Sequence, residues 1–313
     1  MKERREVLPQ SNKENTGQAT AHRQNNEQSI EQQTKKPTFN PKNFGLFVFK
    51  PRNSRFRESF YTMPFKKRLG ILKENIIVAN EYSLQRLSTN PDFKSMLVGP
   101  EYLFKKHHKK GCNQYYSQRK KEKFVRTLAK LSQHTEMIIA PGTICWQEEA
   151  NPGGETYYHN EIYFFYKGKV INYNKTYPHP LDCQYIGNKT TTNKRYFKTG
   201  VSDSPILRLN GVSIGVEICL DNAYMLLDSK INPNPYLTKA KRGAEKIDLH
   251  LLVADGIKRP NLIAQSGLLF FKVERTSKYK TKIGTVSSEN PRVSYLKETP
   301  PVPLNKTLTF YKP

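Results

Sequence analysis

Acidic residues and cysteines are both scarce in this sequence. Only 27 Asp and Glu stand against 52 Lys and Arg, a formal net charge of +25 over 313 residues. Such a surplus argues against cationic partners and favours acidic ones: an acidic protein, lipid headgroups or nucleic acid. The four cysteines, Cys112, Cys145, Cys183 and Cys219, include no C-x-x-C pair and no zinc-like spacing, so no metal site is expected from them. A disulfide framework is not expected either, because a chain this long can bury a sizeable core without one. No run approaches 18 apolar residues, so no membrane-spanning helix is expected. The opening MKERREVLPQSNKEN has no apolar h-region, and a reducing cytoplasm is the expected setting.

Residues 1–43 also have almost no large apolar side chain and are rich in Gln, Asn, Glu, Lys and Thr. They cannot bury enough surface to offset the entropy of ordering, so a disordered polar tail is expected there, with one folded domain over 44–313. From Phe44 onward the pattern changes. GLFVFKP (45–51) reads as a first strand, and SMLVGPEYLF (95–104) as a buried strand ending at Gly99-Pro100. ENIIVANEYSLQRL (74–87) places Ile76, Ile77, Ala79, Tyr82, Leu84 and Leu87 near helical spacing, and KEKFVRTLAKLSQH (121–134) reads as an amphipathic helix. EMIIAPGTICW (136–146) and IDLHLLVAD (247–255) read as further strands. Two hairpins are expected, one turning at Lys167-Gly168 and one at Asn210-Gly211. Helices alternating with strands, followed by hairpins, suggest a layered α/β sandwich.

The second hairpin offers two nucleophiles. Gly211-Val212-Ser213-Ile214-Gly215 fits the G-x-S-x-G pattern, but that elbow needs the serine at a sharp strand-to-helix turn. Here the turn is already made at Asn210-Gly211, so Ser213 reads as an ordinary strand residue. Cys219 instead ends an apolar strand just before Leu220-Asp221-Asn222. Glu101 follows one strand end and Lys175 another, so the three side chains can meet at one edge of a sheet. The chemistry suits them: a thiolate attacks, a carboxylate moves the proton, and an ammonium stabilises the developing charge. Lys175 and the dipoles of a strand exit are expected to favour the thiolate of Cys219 over the other three cysteines.

The blocks LVGPEYLF, YKGKVINYNKTYPH and GVSIGVEICLDN, in that order, resemble the three signature blocks of the nitrilase, or carbon–nitrogen hydrolase, superfamily. MIIAPGT, FKTG (197–200) and IDLHLLVAD are lesser matches, and the resemblance covers about residues 44 to 255. It implies an αββα sandwich and a catalytic Glu101–Lys175–Cys219 triad. It also implies that the backbone N–H of Leu220 joins Lys175 in holding the oxyanion, and that Asp182 helps position the lysine. The implied activity is hydrolysis of a non-peptide C–N bond in a small-molecule amide, less readily a nitrile, through a Cys219 thioester. No metal or organic cofactor is implied. Two other readings are an acyl or amine transferase on the same scaffold, and a degenerate fold retained as a basic binding module. A homo-oligomer is a further expectation. The chain departs from the family between Cys219 and residue 247, which is longer and more basic, and after Ala254, where a helical segment is shortened to DGIKRPNLIAQS.

Residues 103–130 hold ten Lys or Arg and one Glu, a candidate docking surface for an acidic protein, lipid headgroup or nucleic acid, with Tyr115 and Tyr116 available for stacking. A solvated loop and helix face would read the same way. His107-His108 with Cys112 could suggest a metal, but the flanking lysines would repel a cation. Cys145 is expected in the core and Cys183 beside the pocket. Trp146 and Tyr157-Tyr158 are expected either to pack or to shape substrate access.

Overall fold

In a computed structural model the described residues are 39–51, 59–107, 112–186, 194–200, 204–224, 227, 246–263, 265–290 and 293–312. Most of the expected polar tail, residues 1–38, lies outside them. Its last part does not: Pro41–Asn43 form a short 3-10 turn, and the Phe39 ring packs 5.6 Å from that of Phe44.

The chain forms β1 (Phe44–Phe49), α1 (Phe65–Thr89), β2 (Lys94–Val98), β3 (Tyr116–Ser117), α2 (Gln118–Ser132), β4 (Ile138–Ala140), β5 (Thr143–Gln147), β6 (Thr156–Tyr166), β7 (Lys169–Asn174), α3 (Pro180–Ile186) and β8 (Arg195–Phe197). There follow β9 (Ile206–Leu209), β10 (Val212–Ile218), α4 (Leu220–Ala223), β11 (Leu249–Ala254), β12 (Leu269–Glu274), β13 (Lys282–Asn290) and β14 (Val293–Glu298). The chain ends with β15 (Val302–Pro303) and β16 (Leu308–Tyr311). A ten-stranded sheet has the order β15-β16-β1-β2-β4-β6-β5-β3, with β7 and β8 also paired to β6. A six-stranded sheet has the order β14-β13-β12-β11-β10-β9.

Period-two alternation explains how the sheets stack. Phe44, Leu46 and Val48 of β1 share one apolar cluster with Ile214, Val216 and Ile218 of β10 and with Leu251 and Val253 of β11. The two sheets therefore pack face to face, and the Phe44 and Phe271 rings stack across the interface at 6.0 Å. The alternate residues Phe47 and Phe49 join Leu69, Leu72 and Ile76 of α1 and Phe124 and Leu128 of α2 in a second cluster. Both helices thus cover the outer face of the first sheet. The outer face of the second sheet carries a third cluster, with Leu227, Ile247, Leu252 and Phe270. The long basic stretch after Cys219 falls largely on residues 225–245, of which only Leu227 is described.

Three expectations are corrected. The strand read over 136–146 is two strands, because Pro141 has no N–H to donate and Gly142 adopts φ +83°, which breaks the ladder. The buried face of α1 runs through Leu69, Leu72, Ile76, Ala79 and Ser83, leaving Ile77 and Leu84 exposed, so the apolar pattern was wider than the packed stripe. Tyr115 and Tyr116 are buried rather than available for stacking. The Tyr115 hydroxyl donates to Asp182 O at 3.0 Å, and the Tyr116 hydroxyl accepts from Arg68 Nη1 at 3.0 Å. The basic 103–130 stretch accordingly divides. Leu103 and Phe104 are core, Arg119, Lys120, Lys123, Arg126 and Lys130 are exposed on α2, and residues 108–111, including His108, lie outside the described set. Both hairpin turns form where expected, with Lys167, Gly168, Asn210 and Gly211 all at positive φ.

Candidate active site

Glu101 is placed by two interlocked loops. Gly99 N donates to Ala140 O at 3.0 Å, and Thr143 N to Pro100 O at 3.3 Å, joining the exits of β2 and β4. The approach requires glycine: a Cβ on Gly142 would lie 2.4 Å from Pro100 O, and one on Gly99 would lie 2.6 Å from Pro141 O. Tyr102 N then donates to Thr143 Oγ1 at 2.7 Å, which fixes the residue after Glu101. Lys175 follows β7, its N–H donating to Asn160 O at 3.0 Å on neighbouring β6. Cys219 follows β10 in the other sheet. Continued alternation would put it on the outer face with Ser213, Gly215 and Glu217. Instead its φ of +51° and ψ of −101° turn it into the inter-sheet cluster, a strained geometry for a residue with a Cβ.

The expected residues meet. Lys175 Nζ donates to Glu101 Oε1 at 2.7 Å and to Asp182 Oδ2 at 2.8 Å, with all three side chains fully buried. Asn160 Nδ2 donates to Glu101 Oε1 at 3.0 Å and to Asp182 Oδ1 at 3.2 Å. Asp182 also accepts from the Tyr102 hydroxyl at 2.7 Å and from His179 N at 2.7 Å. Glu101, Lys175 and the backbone N–H of Asp255 are the electrostatic neighbours of the Cys219 thiol. Glu101 Oε2 has no hydrogen-bond partner among the described residues, so it is the oxygen open to a proton from the thiol. Leu220 is the first residue of α4, and N–H groups in a first helical turn have no intrahelical acceptor.

Two carboxylates share one buried ammonium, and this sets the electrostatics. Burial, helped by Asp182 and opposed by Lys175, pushes Glu101 up to about 7. Burial alone would lower Lys175, but the Glu101 and Asp182 carboxylates outweigh it and hold the ammonium charged. The expected stabilisation of the Cys219 thiolate is corrected: burial, and then the Glu101 charge, raise this thiol above its ordinary value despite Lys175 and the Asp255 N–H. At rest Cys219 is a thiol beside a base. Burial likewise raises Cys145, which lies in the core, while Cys183 sits exposed beside Asp182.

Sequence reasoning missed Asp221, which fastens the two sheets at the site. Its fully buried carboxylate accepts from Thr176 N (3.1 Å), Tyr177 N (2.8 Å), the Tyr173 hydroxyl (2.9 Å) and Ile218 N (3.2 Å). It therefore ties the segment after Lys175 to the turn that carries Cys219. Its place two residues after the cysteine was the only sequence signal. Ser213 lies within β10, away from the strand exit, and Trp146 stacks flat on His159 with ring centroids 4.0 Å apart. Tyr158 is buried against Tyr115, whereas Tyr157 stacks with the exposed Tyr196. Among the described residues no group of His, Cys, Asp and Glu could hold a metal ion, and no helix is long and apolar enough to cross a membrane.

No protein-family model matches the sequence, and no curated protein matches it. Solved structures do. An amidase from Nesterenkonia sp. superposes with a TM-score of 0.50 at 11% identity, covering 87% of this chain and 91% of that one. A carbon–nitrogen hydrolase from Helicobacter pylori G27 aligns at 13% identity with a TM-score of 0.47, over 86% of this chain and 88% of that one. Nit3 from Saccharomyces cerevisiae, a member of branch 10 of the nitrilase superfamily, aligns at 15% identity with a TM-score of 0.43, over 85% and 89%. With its two face-to-face sheets and the likeness to the Nesterenkonia amidase, this chain has the fold of the nitrilase, or carbon–nitrogen hydrolase, superfamily.

Proposed function

We propose that the chain is a thiol-dependent amidohydrolase acting on small-molecule amides, with Cys219 as nucleophile, Glu101 as proton carrier and Lys175 as oxyanion partner. The observation that supports this reading is that Lys175 bonds the buried Glu101 carboxylate, while Cys219, turned into the inter-sheet cluster, is an electrostatic neighbour of both. The sulfur attacks the amide carbon as its proton passes to Glu101, so no free thiolate is needed beforehand. The oxygen of the tetrahedral intermediate takes its hydrogen bonds from Lys175 Nζ and Leu220 N–H. Glu101 then gives its proton to the leaving nitrogen, and the C–N bond breaks to leave a Cys219 thioester. Water, losing a proton to Glu101, attacks the thioester; the acid departs and the proton returns to sulfur. A carboxyl near 7 suits a group that must both accept and donate at neutral pH. An amide rather than a nitrile is the proposed class, in keeping with the amidase whose fold the chain shares.

The test is ammonia release across a panel of amides, with wild type, Cys219→Ala and Ser213→Ala compared. Cys219→Ala is expected to abolish release, and Ser213→Ala to retain it. A reactive ester is expected to leave an acyl mass on the Cys219-containing peptide. Turnover that survives Cys219→Ala, or disappears with Ser213→Ala in a folded protein, would overturn the assignment. Alkylation rate is a poor guide here, because the exposed Cys183 competes with a buried thiol.

A further inference from the structure

The turn that carries Cys219 is gripped on two sides. Toward the first sheet, Asp221 Oδ2 accepts from Ile218 N at 3.2 Å. On the outer face of the second sheet a separate buried network crosses the same turn. Asn222 Nδ2 donates to Glu217 Oε2 at 2.6 Å, which joins the residue two before the cysteine to the residue three after it. Asn222 is also tied to Asn261 by three bonds. Its Nδ2 donates to Asn261 O at 3.0 Å, its Oδ1 accepts from Asn261 N at 2.8 Å, and its backbone O accepts from Asn261 Nδ2 at 2.7 Å. Asn261 belongs to DGIKRPNLIAQS, the stretch in which the sequence departs from the family pattern.

The network is anchored by a carboxylate that the reaction does not use. Glu217 Oε1 accepts from Leu227 N at 2.9 Å, and its Oε2 lies 2.8 Å from His250 Nε2, with both side chains buried. Burial alone would raise Glu217, but the bonds from His250, Asn222 and the Leu227 N–H outweigh it and hold the carboxyl below its ordinary value. A buried carboxylate bonded by three groups is hard to displace, because each bond is charge-assisted and shielded from water. Such stiffness has a use at this point. Cys219 stands at φ +51° and ψ −101°, a strained geometry that persists only where the surroundings over-determine it. Its N–H donates to Val253 O at 2.9 Å, and its O accepts from Asn222 N at 3.1 Å. A shift of Asn222 therefore carries with it the carbonyl of Cys219 and the Leu220 N–H that follows.

We propose that Glu217, Asn222 and Asn261 are positioning residues, a clasp on the outer face that holds Cys219 in its strained conformation and so keeps the sulfur beside Glu101. The inference rests on the amidohydrolase reading. The two grips divide the work. Asp221 ties the turn to the first sheet, while the clasp ties it to its own sheet through Glu217 and to the stretch after β11 through Asn261. Without the clasp the turn relaxes toward ordinary backbone angles and the sulfur leaves its place. Glu101, Lys175 and Asp182, held by their own mutual bonds, stay where they are. The loss therefore falls on kcat rather than on KM.

The experiment compares wild type, Asn222→Ala, Glu217→Gln and the double variant as full chains. It reads ammonia release over the amide panel and hydrogen exchange in the peptide spanning residues 216–224. Asn222→Ala is expected to lower kcat by about a hundredfold with KM unchanged, the usual consequence of a displacement of about 1 Å at a reacting atom. Exchange in the 216–224 peptide is expected to quicken with it. Gln at 217 keeps one acceptor oxygen in place of two, so a smaller fall in kcat is expected. Because the two residues act as a unit, the double variant is expected to be no slower than Asn222→Ala. If Asn222→Ala fails to fold, Asn261→Ala carries the test: it removes a single side-chain bond at an exposed residue, and a smaller fall in kcat alone is expected. Unchanged kcat in the folded variant, a loss that falls on KM, or additive losses in the double variant would overturn the clasp and leave the amidohydrolase intact. Ammonia from no amide would overturn the hydrolase reading, and exchange then decides: faster exchange in Asn222→Ala upholds the grip on the turn, and unchanged exchange overturns it as well.

Discussion

Replacing Glu101 with Gln is expected to inactivate the protein while stabilising it at alkaline pH. In the native site Glu101 and Asp182 share the Lys175 ammonium at 2.7 and 2.8 Å, with every side chain fully buried. With Glu101 ionised the buried group therefore carries one negative charge in excess. Its displacement from the ordinary carboxyl value of 4.5 to about 7 reports that cost, chiefly burial, with Asp182 adding and Lys175 opposing. At about 1.4 kcal/mol per unit, the burden amounts to roughly 3 kcal/mol. The folded-state value is raised, so the favourable contribution is fully present below the unfolded value and is lost as pH rises through about 7. Gln does not titrate, keeps an acceptor for Lys175 and Asn160, and leaves Lys175 paired to Asp182 alone. Thermal melts from pH 5 to 8.5 are the assay. The difference in melting temperature between Glu101→Gln and wild type is expected to grow in favour of Gln as pH rises. Ammonia release is expected to fall by about 10²–10⁴-fold, the usual worth of a general base. A melting difference flat across pH, or one that turns against Gln at pH 8, would refute the charge argument. Unchanged turnover would refute the role.

Two further substitutions test how the site is held. Asp221→Ala strands four buried donors, at about 1–3 kcal/mol for each left unsatisfied, and separates the Lys175 segment from the Cys219 turn. Loss of activity is expected together with a fall of at least about 3 kcal/mol in the unfolding free energy measured by denaturant, and a variant with wild-type stability and turnover would exclude this tie. Gly142→Ala puts a Cβ at φ +83° and 2.4 Å from Pro100 O, so it is expected to cost at least about 2 kcal/mol and to lower kcat by displacing Glu101. A neutral effect on both would show that the two loops are not interlocked as described.

Much of this protein was decided locally and was open to reading. Asn210-Gly211 makes a turn because Asn and Gly accept positive φ at low cost, and in Lys167-Gly168 the glycine does so, whatever lies around them. The apolar runs ending at Val98, Asn174 and Ile218 become strands, and residues just past a strand end project at a sheet edge, so Glu101, Lys175 and Cys219 could be nominated together. Only the tertiary structure brings two of them from one sheet and the third from the other, closed by the buried Asp221. Long-range packing also buried Tyr115 against Asp182 and Tyr116 against Arg68, pairings between segments far apart in sequence. The protonation of the site belongs to the same category. A thiol near a lysine reads as acidic in sequence, but desolvation depends on everything packed around it, and here it outweighs the lysine, leaving Cys219 protonated against a carboxyl that titrates near 7.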